Sequence, residues 1–152
     1  SGSEDGALIF STVVAGSNVD TMQVSGGRVG IGTTTPLATL HVDGNVIAKT
    51  NTDTTNSGVV DLDFGANQNF VLTLTGNITS LTASNEQVGQ SGFIAFIQDG
   101  TGSRTVALHG DYETAAGAGI ALSTAASTTD IVPYVVVAAS RILLGAPQLA
   151  FA

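Results

Sequence analysis

The stretch MQVSGGRVGIG, residues 22–32, settles the class of fold. Met22 and Val24, then Val29 and Ile31, alternate with small or polar residues on either side of Gly26-Gly27. Alternation with a period of two around a glycine pair predicts a β-hairpin. Upstream, the apolar runs Ala7–Phe10 and Thr12–Val14 are separated and followed by Ser, Gly and Asn, which predicts two short strands joined by turns. Downstream, beyond Thr33-Thr34-Thr35-Pro36, the side chains of Ala38, Leu40 and Val42 fall on one face and those of Thr39 and His41 on the other. Asp43-Gly44-Asn45 then predicts a turn into Val46-Ile47 and a second hairpin. Residues 1–48 therefore read as an extended β-hairpin arm.

Residues 49–58, KTNTDTTNSG, are almost wholly small and polar and read as a junction. Residues 59–152 read as the body, with strand-like runs at Val59–Phe64, Phe70–Thr75, Phe93–Gln98, Arg104–His109, Ile131–Val137 and Arg141–Leu144. Short strands punctuated by Gly, Asn and Asp predict a small β-sandwich or barrel-like sheet. FIAFI (93–97) and IVPYVVVA (131–138) are apolar at nearly every position and are expected to be buried on both faces. The alanine-rich segment Glu113–Thr128 is expected to be a loop with at most one short helical turn, because Gly117 and Gly119 each cost about 1 kcal/mol relative to Ala in a helix. The expected fold is thus all-β, an N-terminal arm followed by a compact body.

Composition narrows the function. The length of 152 residues suits one domain, or one domain with an arm. With 43% hydrophobic but only 5% aromatic residues and no Trp, the core must rest on Val, Ile, Leu and Ala. Charged residues make up 11%, against roughly 25% in ordinary soluble domains, so much of the surface is neutral or covered by other chains. The net charge is −8, and the four basic residues, Arg28, Lys49, Arg104 and Arg141, are scattered. Neutralising a phosphate backbone requires clustered cations, so nucleic acid is not an expected partner. Cysteine is absent, which removes disulfides, thiolate metal sites and thiol nucleophiles. No segment reaches the roughly 18 apolar residues of a membrane span, and SGSEDGALIF does not have the make-up of a signal peptide.

Candidate chemistry is sparse. His41 and His109 are too far apart in the sequence to form a ligand pair by spacing, and both read as structural. Asp61 and Asp63 share a strand face and are more simply its solvated side than an acid/base or cation pair. Gly89-Gln90-Ser91-Gly92 has Phe93 where a nucleophile elbow needs its last glycine. Gly30-Ile31-Gly32 is only a fragment of a dinucleotide fingerprint. Asp99-Gly100-Thr101-Gly102-Ser103 offers backbone amides to an anion in principle, with a hairpin turn as the ordinary reading. No catalytic, cofactor-binding or metal-binding residue is assigned, and no cofactor is expected.

The segment RVGIGTTTPLATLHVDGNVIA, residues 28–48, resembles a motif that recurs in bacteriophage tail fibres, tailspikes and related virion appendages. DLDFGANQNFVLTLTGNITSL followed by GQSGFIAFIQDGTGSRTVAL resembles a module of phage structural proteins, and STTDIVPYVVVAASRILLGA looks like its last pair of strands. The resemblance implies a non-enzymatic virion protein, an intertwined homotrimer on the particle surface, assembled in the bacterial host cytoplasm and in contact with other virion proteins. A narrow ribbon cannot bury its own apolar face, which fits coupled folding and trimerisation. The brevity of the chain leaves a surface fibre, a capsid decoration (cement) protein or a piece of a longer fibre as expectations. The alternative is a host-receptor or glycan-binding module using loops at Gly76–Gln90 or Asp111–Ser127, although these contain only Tyr112 as an aromatic platform. A polysaccharide-degrading tailspike would need paired carboxylates in a long groove.

Overall fold

A computed structural model describes residues 6–152; residues 1–5 of the expected arm lie outside the described residues. The chain divides into two units, Ser1–Ile47 and Ala48–Ala152.

The first unit is a four-stranded sheet of β1 (Ala7–Val14), β2 (Ser17–Ser25), β3 (Arg28–Ile31) and β4 (Leu40–Val42), in that order. The expected hairpin forms between β2 and β3, with Met22 opposite Ile31 and Val24 opposite Val29. Gly26 and Gly27 both have positive φ, 55° and 74°, as a tight turn matched to strand twist requires. Two expectations need correction. Residues 7–14 form one strand, not two: a bulge between Phe10 and Ser11 absorbs the irregularity, and Ser11 Oγ donates to Asp20 at 2.6 Å across the pair. No second hairpin forms at Asp43–Ile47, because β4 spends its backbone bonds on β3 in parallel, with Val29 opposite Leu40 and Ile31 opposite Val42. The connection is tight: Gly32 has φ +71°, and a Cβ there would sit 2.7 Å from the Asp43 carbonyl oxygen.

The second unit contains β5 (Thr50–Asp63), β6 (Asn69–Ser84), β7 (Ser91–Gln98), β8 (Val106–Leu108), β9 (Tyr112–Glu113), β10 (Thr129–Ala138), β11 (Arg141–Leu144) and β12 (Gln148–Phe151). The order is β5-β6-β7-β10-β11-β9, with β8 on β6 and β12 on β10. Residues 50–58, expected as a junction, are strand. Thr and Asn side chains there are small enough to leave the backbone free to pair with β6, and buried Asn56 donates from its amide to the Asp53 and Thr73 carbonyls, both at 3.1 Å.

Pairing of β5 with β6 is parallel, Thr50 beside Asn69 and Asp63 beside Ser84. A straight strand of 14 residues would span about 46 Å at about 3.3 Å per residue. Residues 64–68 return the chain to the start of β5, and such a link reaches only about 20 Å. Both strands must therefore bend back on themselves, and the register irregularities between Asp53 and Val59 mark where β5 turns. β7, the 99–105 loop and β8 follow the same course again, β7 pairing with Phe70–Leu74 and β8 with Ile78 and Leu81. The body is thus one coiled sheet whose limbs face a common core.

That core holds Leu62 and Phe64 of the first coil, Phe70, Leu72, Leu74, Ile78 and Leu81 of the second, and residues of β7, β9, β10 and β11. The Phe64 ring lies 5.0 Å from Phe70 and 5.1 Å edge-on to Tyr134. As expected, Phe93–Ile97 is buried or half-buried at every position, because β7 lies between β6 and β10. The expectation for IVPYVVVA is corrected: β10 alternates, with Val132, Tyr134 and Val136 inward and Pro133, Val135 and Val137 exposed. β10 and β11 form the expected closing pair. The 113–128 segment is a loop with one 3₁₀ turn, Ala115–Gly117.

Candidate functional site

The histidines fall in different units. His41 sits on β4, where its Nδ1 accepts the Leu37 amide at 3.4 Å. His109 pairs through Nδ1 with Asp111 at 2.6 Å, next to the bend into β9.

Both strand carboxylates are occupied. Asp61 accepts hydrogen bonds from the Thr82 hydroxyl at 2.8 Å and the Ser84 hydroxyl at 2.6 Å, which ties β5 to β6. Asp63 accepts from the Asn85 amide at 2.9 Å and from the backbone amides of Gly65 and Ala66. The Asn85 bond, followed by those amides, holds its carboxyl below the usual range. Leu62 and Phe64 point the other way, into the core.

The glycine-rich segments serve the backbone. At Gly92 a Cβ would lie 2.5 Å from the Gln68 carbonyl and 2.6 Å from Asn69 Oδ1. At Gly30 it would lie 2.3 Å from the Thr33 carbonyl. The amides of Thr101 and Gly102, candidates for an anion cradle, are taken by the Asp99 carboxylate at 2.9 Å each. Arg104 closes the same carboxylate at 2.8 Å, and its hydrogen bond is the chief reason the Asp99 pKa drops to about 2. The segment is also not a hairpin turn, since β7 and β8 run in the same direction along β6. Gln98 bridges its base, donating to the Arg104 carbonyl at 2.9 Å and accepting the Arg104 amide at 2.8 Å.

A depression of about 650 Å³ in the body is lined by Val106, Leu108, His109, Glu113, Thr114 and Ile120. Glu113 forms a two-point pair with Arg141 at 2.8 and 3.1 Å, which keeps its carboxyl ionised and its pKa below the usual range. A general acid needs the opposite shift. Of the two loops considered for glycans, Gly76–Ser84 belongs to β6. Tyr112 is buried, with its hydroxyl donating to the Thr82 carbonyl at 3.1 Å. Burial, reinforced by nearby Asp61 and Asp111, pushes its pKa up. It supplies no stacking platform.

What the reading of single residues missed is buried Asp130, in the strand IVPYVVVA extends from. Its carboxyl accepts the Ser123 amide at 2.6 Å, the Ser123 hydroxyl at 2.7 Å and the Ala150 amide at 2.8 Å. Its parity with Val132 and Tyr134 was the available signal.

These arrangements define a class: an all-β module whose polar side chains are committed to holding corners and strands together. A family model described as "Putative phage tail fibre C-terminal domain" matches residues 50–138. That is more than half of the chain, from the first residue of β5 to the last of β10, and the chain belongs to this family. It is therefore related to the structural proteins of the bacteriophage tail. The VGIGTTTP motif lies outside the match. No curated protein and no solved structure gives a significant match. Among the described residues no helix is long and apolar enough to cross a membrane.

Proposed function

We propose that the chain is a non-enzymatic structural component of a phage tail fibre that works as a homotrimer in contact with other virion proteins. The observation that carries this reading is the state of the N-terminal sheet. Among its described residues only Gly30 and Pro36 are buried, while Leu8, Ile9, Phe10, Val13, Val14 and Leu40 are exposed. A four-stranded ribbon that leaves apolar side chains exposed on both faces gains little from its own packing. Copies of the same ribbon, wrapped about a common axis, supply the missing layer. Family membership favours a fibre over a capsid decoration. A host-glycan module is the weaker reading because Tyr112 is turned inward.

The test is the mass of the intact chain by light scattering across a range of concentrations. A species near three times 15.2 kDa is expected, and Leu8→Glu with Phe10→Glu should shift it toward smaller masses. A monomer at every concentration would refute the shared-core reading.

A further inference from the structure

We propose that Asp43 is a site of spontaneous covalent modification, at which the Asp43-Gly44 step converts to an isoaspartyl linkage and loosens the end of β4. The proposal is independent of the homotrimer reading.

The reaction needs only the chain and water. The Gly44 backbone nitrogen attacks Asp43 Cγ, a carboxyl oxygen leaves as water with the amide and carboxyl protons, and a succinimide ring closes. Water then opens the ring. Attack at Cγ restores aspartate, whereas attack at the backbone carbonyl carbon leaves the nitrogen on Cγ and frees that carbon as a carboxylate. Neither mass nor net charge changes. Glycine favours the first step because no Cβ shields its nitrogen.

The chain carries this dipeptide at Asp5-Gly6, Asp43-Gly44 and Asp99-Gly100, and the last two lie wholly among the described residues. Gly44 and Gly100 both stand in open space, with nothing within 4 Å of an added Cβ. The carboxyls set the two steps apart. Both Asp99 oxygens are held, one by the Thr101 and Gly102 amides at 2.9 Å and the other by Arg104 at 2.8 and 3.1 Å. Closing a ring there breaks these bonds. The same contacts lower the Asp99 pKa to about 2, and a carboxyl held ionised loses its oxygen less readily. Asp43 sits on the exposed bend after β4. Among the described residues nothing donates to its carboxyl and the Gly44 amide has no acceptor, so Cγ can rotate onto the nitrogen.

Asp43 is also a position where a change of linkage is felt. Its amide donates to the Ile31 carbonyl at 2.8 Å, and its carbonyl oxygen lies where a Cβ on Gly32 would be only 2.7 Å away. In the isoaspartyl form that carbonyl becomes a carboxylate, and the main chain leaving β4 is one carbon longer. A charged group seeks water rather than close packing, so the β3–β4 pairing frays from this end.

The experiment ages the intact chain in warm, near-neutral buffer and labels isoaspartyl carboxylates by enzymatic methylation. Cleavage at Arg28, Lys49 and Arg104 puts Asp43 and Asp99 on separate peptides, 29–49 and 50–104, and Asp43 is the only acidic residue of the first. Label should accumulate at Asp43 at least about tenfold faster than at Asp99, and exchange at the Asp43 amide should quicken in the aged fraction. In urea that unfolds the chain the two rates should converge. Equal labelling of the folded chain at both sites, or none at Asp43, overturns the proposal. A contrast that persists in urea overturns the role given to the Asp99 contacts, and unchanged exchange overturns the loosening of β4. Asp43→Glu should abolish label on 29–49; label that survives comes from Asn45 and overturns the assignment.

Discussion

Replacing Asp130 tests whether polar fasteners hold the body together. Asp130 is 1% exposed and takes two backbone amides, from Ser123 and Ala150, on different oxygens. In Asp130→Ala both amides are orphaned, at about 1–3 kcal/mol each, while the Ser123 hydroxyl can rotate to another partner. Relief of the carboxyl's own desolvation offsets part of this, leaving an expected loss of about 3 kcal/mol. Asp130→Asn keeps the shape but has one acceptor oxygen, so its NH₂ must face one of the two amides, at a cost of about 2 kcal/mol. Against a total stability of about 5–15 kcal/mol these are large effects. Urea unfolding at fixed chain concentration reads them as a midpoint lowered by about 1–2 M. Hydrogen exchange should quicken at Ser123 and Ala150 before it does in β7. An Asp130→Asn midpoint equal to wild type, with unchanged exchange at both amides, would refute the reasoning.

Gly92→Ala should cost about 2–3 kcal/mol, because the new methyl meets the Gln68 carbonyl and the neighbouring backbone cannot yield; a thermal midpoint lowered by about 5–10 °C is expected. Gln98→Ala removes both bonds to the Arg104 backbone and should cost about 2 kcal/mol, with exchange at the Arg104 amide as the local readout. The folded pKa of Asp99 is depressed from 3.8 to about 2, so its contribution is complete above the unfolded pKa and is lost as pH falls through that window. Wild type should therefore lose thermal stability more steeply than Asp99→Asn between pH 4 and pH 2; parallel profiles would contradict the assignment.

Local chemistry made part of this fold legible. Gly26-Gly27 required one turn type, and the alternating residues around it left one register, so the β2–β3 hairpin was readable without any partner. The β10–β11 pair was expected from the resemblance of residues 127–146 to the last strand pair of a phage module, while the alternation of β10 was not read. The coil of β5 and β6 was not readable, because its pairing is parallel and its information lies far along the chain. KTNTDTTNSG carries no apolar period, and only the neighbouring Asn69–Leu74 strand makes it a strand. The Asp99–Ser103 segment shows the same limit: its residues suit a tight turn, but whether the following strand reverses or continues is decided by β6. Asp130 escaped notice because burial of a lone carboxyl is set by Ser123 and Ala150, neither adjacent in sequence.

The acidic composition acquires a different meaning once the coil is known. Asp53, Asp63 and Asp99 lie where successive passes of the chain turn, and each accepts a backbone amide two residues onward, from Thr55, Gly65 and Thr101 respectively. Asp63 and Asp99 accept a further amide three residues onward, from Ala66 and Gly102. These Asx-type turns satisfy donors that a corner would otherwise leave unpaired. Three carboxylates are thereby spent on closing the corners of the coil.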